Sequence, residues 1–322
     1  PGVPKVGPKT AVKLLNEYGD LDNLMSHADE IKGKLGENLR AASDFLPTSR
    51  DLVTIRCQLE LPVALDELKI RNGDEKQLKE LYARLQFKTW LSELGGLDDE
   101  LTVDADYQTI LEQSELNEWL HRIEKKGLFA FDTETTDLDA MQAEIVGLSF
   151  AVKPGEAAYV PLAHDYPGAP EQLDREQVLQ QIKPLLESDD IKKIGQNLKY
   201  DMKVLANHDL DLMGIEHDTM LESYVLDSTA SRHDMDTLAM KHLGHKTIHY
   251  EDIAGKGKKQ LRFSDIALEQ AAPYAAEDAD VTLRLHEVLW PALQKHEKLT
   301  AIYRDIEIPL LSVLARIERN GV

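Results

Sequence analysis

The sequence predicts an α/β fold, with a mixed sheet flanked by helices, preceded by a small and mainly helical region. Helical patterning alone fills residues 8–94. Beyond them, short apolar runs of strand length are followed by amphipathic segments of helical period. Strands that are followed and flanked by helices indicate a mixed α/β layer. A length of 322 residues is enough for about two domains.

The composition excludes several classes of protein. Hydrophobic residues make up 42% of the chain, which is enough for folded cores and excludes a disordered chain. Cys57 is the only cysteine, so a disulfide scaffold is excluded and a reducing, cytoplasmic compartment is expected. No apolar run is long enough to span a bilayer, and the first residues lack the apolar segment of a signal peptide. We therefore expect no membrane association.

The charge is unevenly distributed along the chain. There are 37 basic and 58 acidic residues, which give a net charge of −21. Residues 1–95 carry 14 basic and 15 acidic side chains, so nearly all of the excess lies in residues 96–322. This excess argues against purely electrostatic binding of nucleic acid. Clustered carboxylates that hold divalent cations can still act on a polyanion, because the ions reverse the sign of the local field.

Residues 1–95 are predicted to be helical. A turn rich in glycine and proline at residues 2–7 leads into a helix that begins near Pro8 and ends at Gly19, since proline suits a first helical turn and glycine a helix end. Further helical patterning continues to Leu94. A glycine pair followed by an acidic run is typical of a domain boundary, so we predict a linker at residues 96–103.

Residues 104–300 are predicted to form the α/β domain. Ser114 is expected to cap an amphipathic helix that ends near Gly127. The predicted strands are residues 128–131, 144–152, 157–162 and 191–194. The predicted helices that follow are residues 174–187, 197–207, 218–227, 234–243 and 267–295.

Two acids stand at the end of the first predicted strand. Because side chains alternate along a strand, Asp132 and Glu134 should project from the same face, with Cβ atoms roughly 6 to 7 Å apart. Two neighbouring carboxylates repel each other. The repulsion is tolerable if the face is open to water or if a divalent ion lies between the two groups. The residues alone leave both interpretations open.

Further acids lie on two predicted helices. Asp201 lies beside the apolar side of its helix, and Tyr274 and Asp278 are four residues apart and share a helix face. A solvated helix surface is the ordinary position of such acids. Hard oxygen ligands from separate elements are nevertheless what paired Mg²⁺ or Mn²⁺ sites require. None of the eleven histidines shows a spacing typical of a metal site.

The acidic segments resemble the three motifs of the DEDDy family of 3′→5′ exonucleases, in the form they take in the family A DNA polymerases of bacteria (the DNA polymerase I family). The segments are Phe131-Asp132-Thr133-Glu134, Asn197-Leu198-Lys199-Tyr200-Asp201 and Tyr274-Ala275-Ala276-Glu277-Asp278. The spacings are also similar, with 69 residues from Asp132 to Asp201 and 77 from Asp201 to Asp278. The resemblance continues at residues 218–224, 232–236 and 253–258.

The flanking segments resemble the same family. Residues 2–11 resemble the helix-hairpin-helix of a 5′ nuclease domain, and residues 308–322 resemble the opening helix of a polymerase domain. The resemblance implies the C-terminal part of a 5′ nuclease domain at residues 1–95, a ribonuclease H-like exonuclease domain at residues 104–300 and the start of a polymerase domain at residues 301–322. It places the 5′ nuclease and polymerase active sites outside this chain, which we expect to be truncated at both ends.

The resemblance also implies a two-metal proofreading activity in DNA replication and repair. Asp132, Glu134 and Asp278 would hold one ion, and Asp132 and Asp201 would hold the second, as Mg²⁺ or Mn²⁺ with Zn²⁺ as an alternative at one site. Tyr274 and Glu134 would orient the attacking water, and the products would be deoxynucleoside 5′-monophosphates. The implied partners are a single-stranded 3′ end and a primer-template. A monomer in the bacterial cytoplasm, associated with the nucleoid, is expected.

Two pairs of residues are predicted to contact the DNA strand near its end. Leu138 and Tyr250 stand where the family pattern has residues that contact the last bases, and ordinary packing is the alternative. Gln196 and Asn197 are predicted to hydrogen-bond the strand, although helix capping is an equally good role for Asn197.

A third contact is predicted at the start of the chain. The turn at residues 2–7 should expose backbone amides at a helix N-terminus, a suitable place for a phosphate, with Lys5 and Lys9 adding positive charge. A bare hairpin between two helices is the alternative.

Two other functions remain open at this point. An RNA exonuclease similar to ribonuclease D would share the chemistry, but the flanking segments argue against it. A catalytically silent module that binds DNA ends or acts as a scaffold is the second alternative. The presence of all four carboxylates and Tyr274 argues against silence.

Overall fold

The computed structural model describes residues 2–60, 62, 67–69, 73–85, 87–94, 105–230 and 232–321. The predicted linker at residues 96–103 therefore lies outside the described residues. The chain divides into two compact units, Pro1–Asn72 and Gly73–Val322, and each is considered by itself. Among the described helices, none combines the length and the hydrophobicity that crossing a bilayer requires.

The first unit is helical, as predicted. Its helices are α1 (Pro8–Tyr18), α2 (Leu21–Ser26), α3 (Gly33–Ala41) and α4 (Leu46–Val53). Pro8 occupies the first turn of α1, and Gly19 ends it with a positive φ of 87° while its N–H donates to the carbonyl of Leu15. The Asp20 carboxylate then caps α2. The apolar faces of these helices meet in a small core of Leu14, Leu24, Ala28 and Leu39.

The second unit contains a mixed sheet of six described strands in the order β1-β4-β3-β2-β5-β6. The strands are β1 (Asp106–Thr109), β2 (Leu128–Thr135), β3 (Ile145–Lys153), β4 (Glu156–Pro161), β5 (Lys192–Gly195) and β6 (Ile215–Asp218). Strands β2, β3 and β4 are antiparallel neighbours, whereas β1 pairs with β4, and β5 with β2 and β6, in parallel. The sequence did not predict β1 and β6, because these four-residue strands are largely polar and lack an apolar run.

Helices precede, follow and flank the sheet. They are α5 (Glu75–Arg84), α6 (Lys88–Glu93), α7 (Gln113–Lys126), α8 (Arg175–Leu186), α9 (Leu198–Leu205), α10 (Thr219–Leu226), α11 (Met235–Leu238), α12 (Tyr250–Ala254), α13 (Leu268–Gln294), α14 (Glu297–Ile302) and α15 (Ile308–Arg319). Two π-helical segments, Ala239–Leu243 and Tyr303–Glu307, follow α11 and α14.

The predicted cap of α7 is wrong by two residues. Glu112 is the N-cap and forms a capping box with Glu115, so Ser114 lies inside the first turn. A capping box caps a helix better than a single serine does, because its two side chains accept hydrogen bonds from two backbone N–H groups. The predicted end of the helix is correct, since Gly127 adopts the left-handed conformation with φ of 73°.

The side chains of β2 divide the hydrophobic core into two layers. Phe129 and Phe131 point to one face and pack in the layer that contains Trp119 of α7 and Leu198 of α9. Ala130 points to the other face, where the partners on α13 are also small. They are Ala271, Ala272, Ala275, Ala276 and Ala279. The long helix α13 therefore covers one face of the sheet, and the shorter helices α7, α8 and α9 cover the opposite face.

Gly147 in β3 provides a test of this packing. It lies opposite Glu134, and a Cβ atom added to it would stand 2.1 Å from the hydroxyl oxygen of the buried Tyr159. Tyr159 cannot move freely, because its hydroxyl is also bonded to His164 Nε2 at 2.8 Å. We expect Gly147→Ala to lower the free energy of unfolding by about 1–3 kcal/mol, measured by chemical denaturation. Gly2→Ala, with no atom within 4 Å of the new Cβ, is the control, and equal stability of the two variants would contradict the packing.

Candidate metal centre

Three carboxylates meet between the end of β2 and α13. One oxygen from each of Asp132, Glu134 and Asp278 lies within 4.8 Å of the other two. Asp132 and Glu134 share the β2 face that carries Ala130, which is the face that α13 covers. All three side chains are half-buried. Strand alternation and one helix thus bring together three acids that are up to 146 residues apart in the sequence.

Asp201 approaches from the other side of the sheet. It is buried on α9, and its Oδ1 accepts hydrogen bonds from the backbone N–H of Thr133 at 3.1 Å and from the Thr133 hydroxyl at 2.7 Å. Thr133 lies between the two acids of β2 and points to the opposite face. Asp201 is therefore tied to the same strand end as the other three carboxylates, although it is not part of their cluster.

The electrostatics of the centre favour a bound cation. Burial raises the pKa of Asp132 to about 7. Burial, together with mutual repulsion, raises the pKa values of Glu134, Asp201 and Asp278 well above their usual range. No basic side chain of the described residues is among the main causes of these shifts, and Glu134 Oε1 is buried without a hydrogen-bond partner. These residues fit divalent ions, because such ions supply the positive charge that four crowded carboxylates need.

Tyr274 lies one helical turn before Asp278 on α13, so the two side chains share one face of the helix. The charge of Asp278, and then burial, raise the pKa of Tyr274 far above its usual range, so the hydroxyl keeps its proton. The ring of Tyr250 packs edge-on against Tyr274 with centroids 6.1 Å apart. The Tyr250 hydroxyl donates to the carbonyl of Leu261 at 3.0 Å. The predicted DNA contact Tyr250 thus lies directly beside the predicted catalytic tyrosine.

The structure places Leu138 and Gln196 in different surroundings. Leu138 follows β2 and is 95% exposed. The Gln196 amide is already engaged: its nitrogen donates to the carbonyl of His233 at 2.8 Å, and its oxygen accepts from the Thr219 hydroxyl.

Asn197 occupies the N-cap position of α9 without capping it. Its backbone is left-handed with φ of 63°, and its side chain makes no capping bond. The carboxylate of Asp218 accepts instead from the N–H of Leu198 at 2.8 Å. In the first unit, Lys5 and Lys9 are exposed at the turn before α1 and within it, and Lys5 has a positive φ of 63°.

Sequence reasoning missed three residues that position α9. Thr133 holds Asp201, Asp218 holds the first turn of the helix, and the hydroxyl of Tyr200 donates to the carbonyl of Asp137 at 2.6 Å and is bonded to Thr135. The role of Thr133 could have been inferred from the sequence, because side-chain alternation along a strand points Thr133 away from the acids on either side of it. Long-range bonds such as those of Tyr200 and Asp218 leave no pattern in a single sequence.

Comparison with known proteins gives the family. A model of the 3′-5′ exonuclease family matches residues 107–294, which include all four carboxylates and Tyr274. The chain is 52% identical to DNA polymerase I of Pseudomonas aeruginosa and 35% identical to that of Rhizobium leguminosarum. The chain belongs to this 3′-5′ exonuclease family, in the form carried by DNA polymerase I. The predicted fold class and the predicted enzyme class, a 3′→5′ exonuclease, are therefore confirmed.

The matches also extend to both flanks of the exonuclease domain. A model described as a 5′-3′ exonuclease C-terminal SAM fold matches residues 1–76. Both relatives match 100% of this chain, which spans 37% of the Pseudomonas protein and 41% of the Rhizobium protein. A solved structure of the polymerase domain of Pol1 from M. smegmatis, in complex with DNA primer-template and dNTP, has a similar fold. The TM-score is 0.53 at 20% identity, over 66% of this chain and 32% of that one.

Two coarser predictions are confirmed by these matches. The exonuclease family uses divalent metal ions, in agreement with the carboxylate cluster. DNA polymerase and nuclease relatives bind nucleic acid.

The stabilising effect of Mg²⁺ should grow with pH around neutrality. Without metal, the folded state binds more protons than the unfolded chain because its carboxyl pKa values are raised, so stability falls as the pH rises through about 7, the pKa of Asp132. Bound ions should replace these protons. We expect the rise in Tm on replacing EDTA with Mg²⁺ to be larger at pH 8 than at pH 6.5 by at least about 2 °C, corresponding to roughly 1 kcal/mol.

The difference between EDTA and Mg²⁺ at each pH removes the contribution of the buried histidines, whose lowered pKa values act in the opposite sense. The control is the Asp132→Asn, Asp278→Asn double variant, which should lose the effect. A Mg²⁺ effect that is independent of pH in the unsubstituted protein would contradict the raised carboxyl pKa values.

Proposed function

We propose that this centre hydrolyses the 3′-terminal phosphodiester bond of DNA and releases deoxynucleoside 5′-monophosphates, as the proofreading part of a DNA polymerase I in replication and repair. The observation that carries the proposal is a cluster of three carboxylates, with a fourth carboxylate tied to the same strand end and a protonated tyrosine beside it, contributed by three separate elements. This donor set suits metal-assisted phosphoryl chemistry. The hydrogen bonds from Thr133 to Asp201 also distinguish the site from an ordinary patch of surface acids, whose side chains are free to move in solvent.

The carboxylates are proposed to share two divalent ions. Asp132, Glu134 and Asp278 would hold one, and Asp132 and Asp201 the other. Ions bound in this way would supply an activated water and would stabilise the leaving 3′ oxygen. The donors are all oxygens, which favours Mg²⁺ or Mn²⁺, with Zn²⁺ as the alternative at one position.

The side chains beside the ions have distinct proposed roles. Tyr274 keeps its proton because Asp278 raises its pKa, so it orients the attacking water by hydrogen bonding and does not act as a base. Glu134 has a buried, unpartnered oxygen that can accept a hydrogen bond from the same water. Thr133 fixes Asp201 against the strand, so that the carboxylate from α9 stays in register with those of β2.

Leu138, Tyr250, Gln196 and Asn197 are proposed to contact the last nucleotides. The exposure of Leu138 beside the strand end supports a contact with a base, since apolar and aromatic side chains hold single strands sequence-independently. A contact between Tyr250 and the DNA is supported by the packing of its ring against Tyr274. Gln196 would have to exchange its bonds to His233 and Thr219 for bonds to DNA.

The remaining proposals concern the first unit and the whole protein. Lys5 and Lys9, exposed around the start of α1, are proposed to contact a DNA phosphate. Residues 1–95 are proposed as the end of a 5′ nuclease domain, 104–300 as the exonuclease domain and 301–322 as the start of a polymerase domain, in agreement with the matched relatives. We further propose a monomer that acts on the primer-template in the bacterial cytoplasm, at the nucleoid.

The first test is hydrolysis of 3′-labelled single-stranded DNA and of RNA of the same sequence. We expect release of deoxynucleoside monophosphates with Mg²⁺ and none with EDTA. Asp201→Asn should lower the rate by at least about 100-fold, because it removes a metal-binding charge. Asp211→Asn, which changes an exposed acid of the same domain, should have no effect. Equal hydrolysis of RNA would favour the ribonuclease D-like alternative, and no release from either substrate would favour the silent end-binding or scaffold alternative.

The second test separates the tyrosine hydroxyl from its ring. Tyr274→Phe should lower kcat on single-stranded DNA by roughly 100-fold with little change in KM, because the ring remains but the oriented hydroxyl is lost. Tyr224→Phe, which removes a hydroxyl from an exposed tyrosine, should leave both constants unchanged. A Tyr274→Phe variant with normal kcat would remove the hydroxyl from the mechanism.

A further inference from the structure

A second group of side chains that could bind a metal ion lies outside the carboxylate centre. His217 in β6, Glu222 in α10 and His286 in α13 are all buried, and one ligand atom from each lies within 4.8 Å of the other two. Oε1 of Glu222 lies 3.0 Å from Nδ1 of His217 and 2.8 Å from Nδ1 of His286. The centroids of the two imidazole rings are 4.0 Å apart. Two nitrogens and a carboxylate thus converge on one buried point.

Two polar atoms of this group have no hydrogen-bond partner. His286 Nδ1 is bonded to Glu222, but His217 Nδ1 has no hydrogen-bond partner, because its contact with Glu222 is short without being aligned. Glu222 Oε2 is also buried and unpartnered. The ion pairs of this fully buried carboxylate within the described residues involve only these two histidines. Unpartnered polar atoms in the interior are costly, and a cation between them would satisfy both.

We propose that His217, Glu222 and His286 form a structural site for a transition-metal ion of the zinc type. Imidazole nitrogens together with one carboxylate suit Zn²⁺, whereas Mg²⁺ prefers oxygen ligands alone. The group supplies three ligands, and a water molecule can fill the fourth position. Tetrahedral ligands about 2.1 Å from a Zn²⁺ ion are roughly 3.4 Å apart. The distances of Glu222 Oε1 from Nδ1 of His217 and of His286 are 3.0 and 2.8 Å, so each would need to lengthen by only about half an ångström.

The site would connect three elements of the second unit. It joins the end of β6 and the first turns of α10 to the second half of α13. His286 follows Asp278 by eight residues on this helix, which is about 12 Å along its axis. The ring of Trp290 packs edge-on against the ring of His217, with centroids 4.7 Å apart, and forms an apolar wall of the site. The ion would therefore stabilise the helix that carries Asp278, and the proposal does not depend on the proposed nuclease function.

The test uses the whole chain with Asp132→Asn and Asp278→Asn, so that the carboxylate centre no longer competes for metal. Co²⁺ is the probe, because a tetrahedral site with nitrogen and oxygen ligands gives it a strong visible absorption. We expect a single Co²⁺ ion per chain, displaced by Zn²⁺ but not by Mg²⁺, and a rise of several degrees in Tm with Zn²⁺ and not with Mg²⁺. Absence of the visible absorption and of a Zn²⁺ effect on Tm would overturn the proposal.

Variants locate the ion. In the same background, His217→Phe keeps an aromatic ring and should weaken Co²⁺ and Zn²⁺ binding by roughly 100-fold or more. Glu222→Gln, which keeps the size of the side chain, should do the same and serves if His217→Phe fails to fold. The control is His121→Ala, because His121 also lies near a glutamate, at 4.0 Å, but is exposed. Unchanged binding in a folded His217→Phe or Glu222→Gln variant would place the ion elsewhere and refute the site.

Discussion

The carboxylate centre depends on the alternation of side chains along β2. Phe129, Phe131 and Thr133 point towards the layer of α7, α8 and α9, whereas Asp132 and Glu134 point towards α13. A shift of the strand by one residue would exchange the two faces and bury both acids among aromatic rings. The buried phenylalanines therefore fix the register of the strand, and the register fixes the position of the acids. The hydrophobic core and the polar site are specified by the same eight residues.

The same arrangement concentrates negative charge where the protein can least screen it. Asp278 arrives from one layer, Asp201 from the other, and both are crowded against the acids of β2. Without cations this crowding costs stability, because each of these carboxylates must either bind a proton or repel its neighbours. Extensive apolar packing on both faces of the sheet offsets that cost. Sites that destabilise the fold while serving chemistry are common at functional positions.

The sequence predicted what local periodicity determines and missed what long-range packing determines. The apolar strand that bears Asp132 and the long helix that bears Asp278 leave clear patterns over many residues. The strand β6 leaves none, because its polar side chains take part in buried contacts that only the fold creates. His217 and His286 show the same limit: they are 69 residues apart and match no ligand spacing, yet β6 and α13 bring their rings to 4.0 Å.

The position of Asp201 also depends on residues beyond the match to the exonuclease family. Helix α9 has eight residues and would be marginal alone, so its contacts must hold it. On the sheet side, Thr133 holds Asp201, and Thr135 and the carbonyl of Asp137 hold the hydroxyl of Tyr200. On the outer side Glu318 of α15 pairs with Lys203 at 2.6 Å and also with Lys199, and Arg319 donates to the Lys203 carbonyl. Because α15 lies after residue 294, the unit that orients Asp201 extends past the matched exonuclease domain. The last described helix thereby supports α9, the helix that carries Asp201.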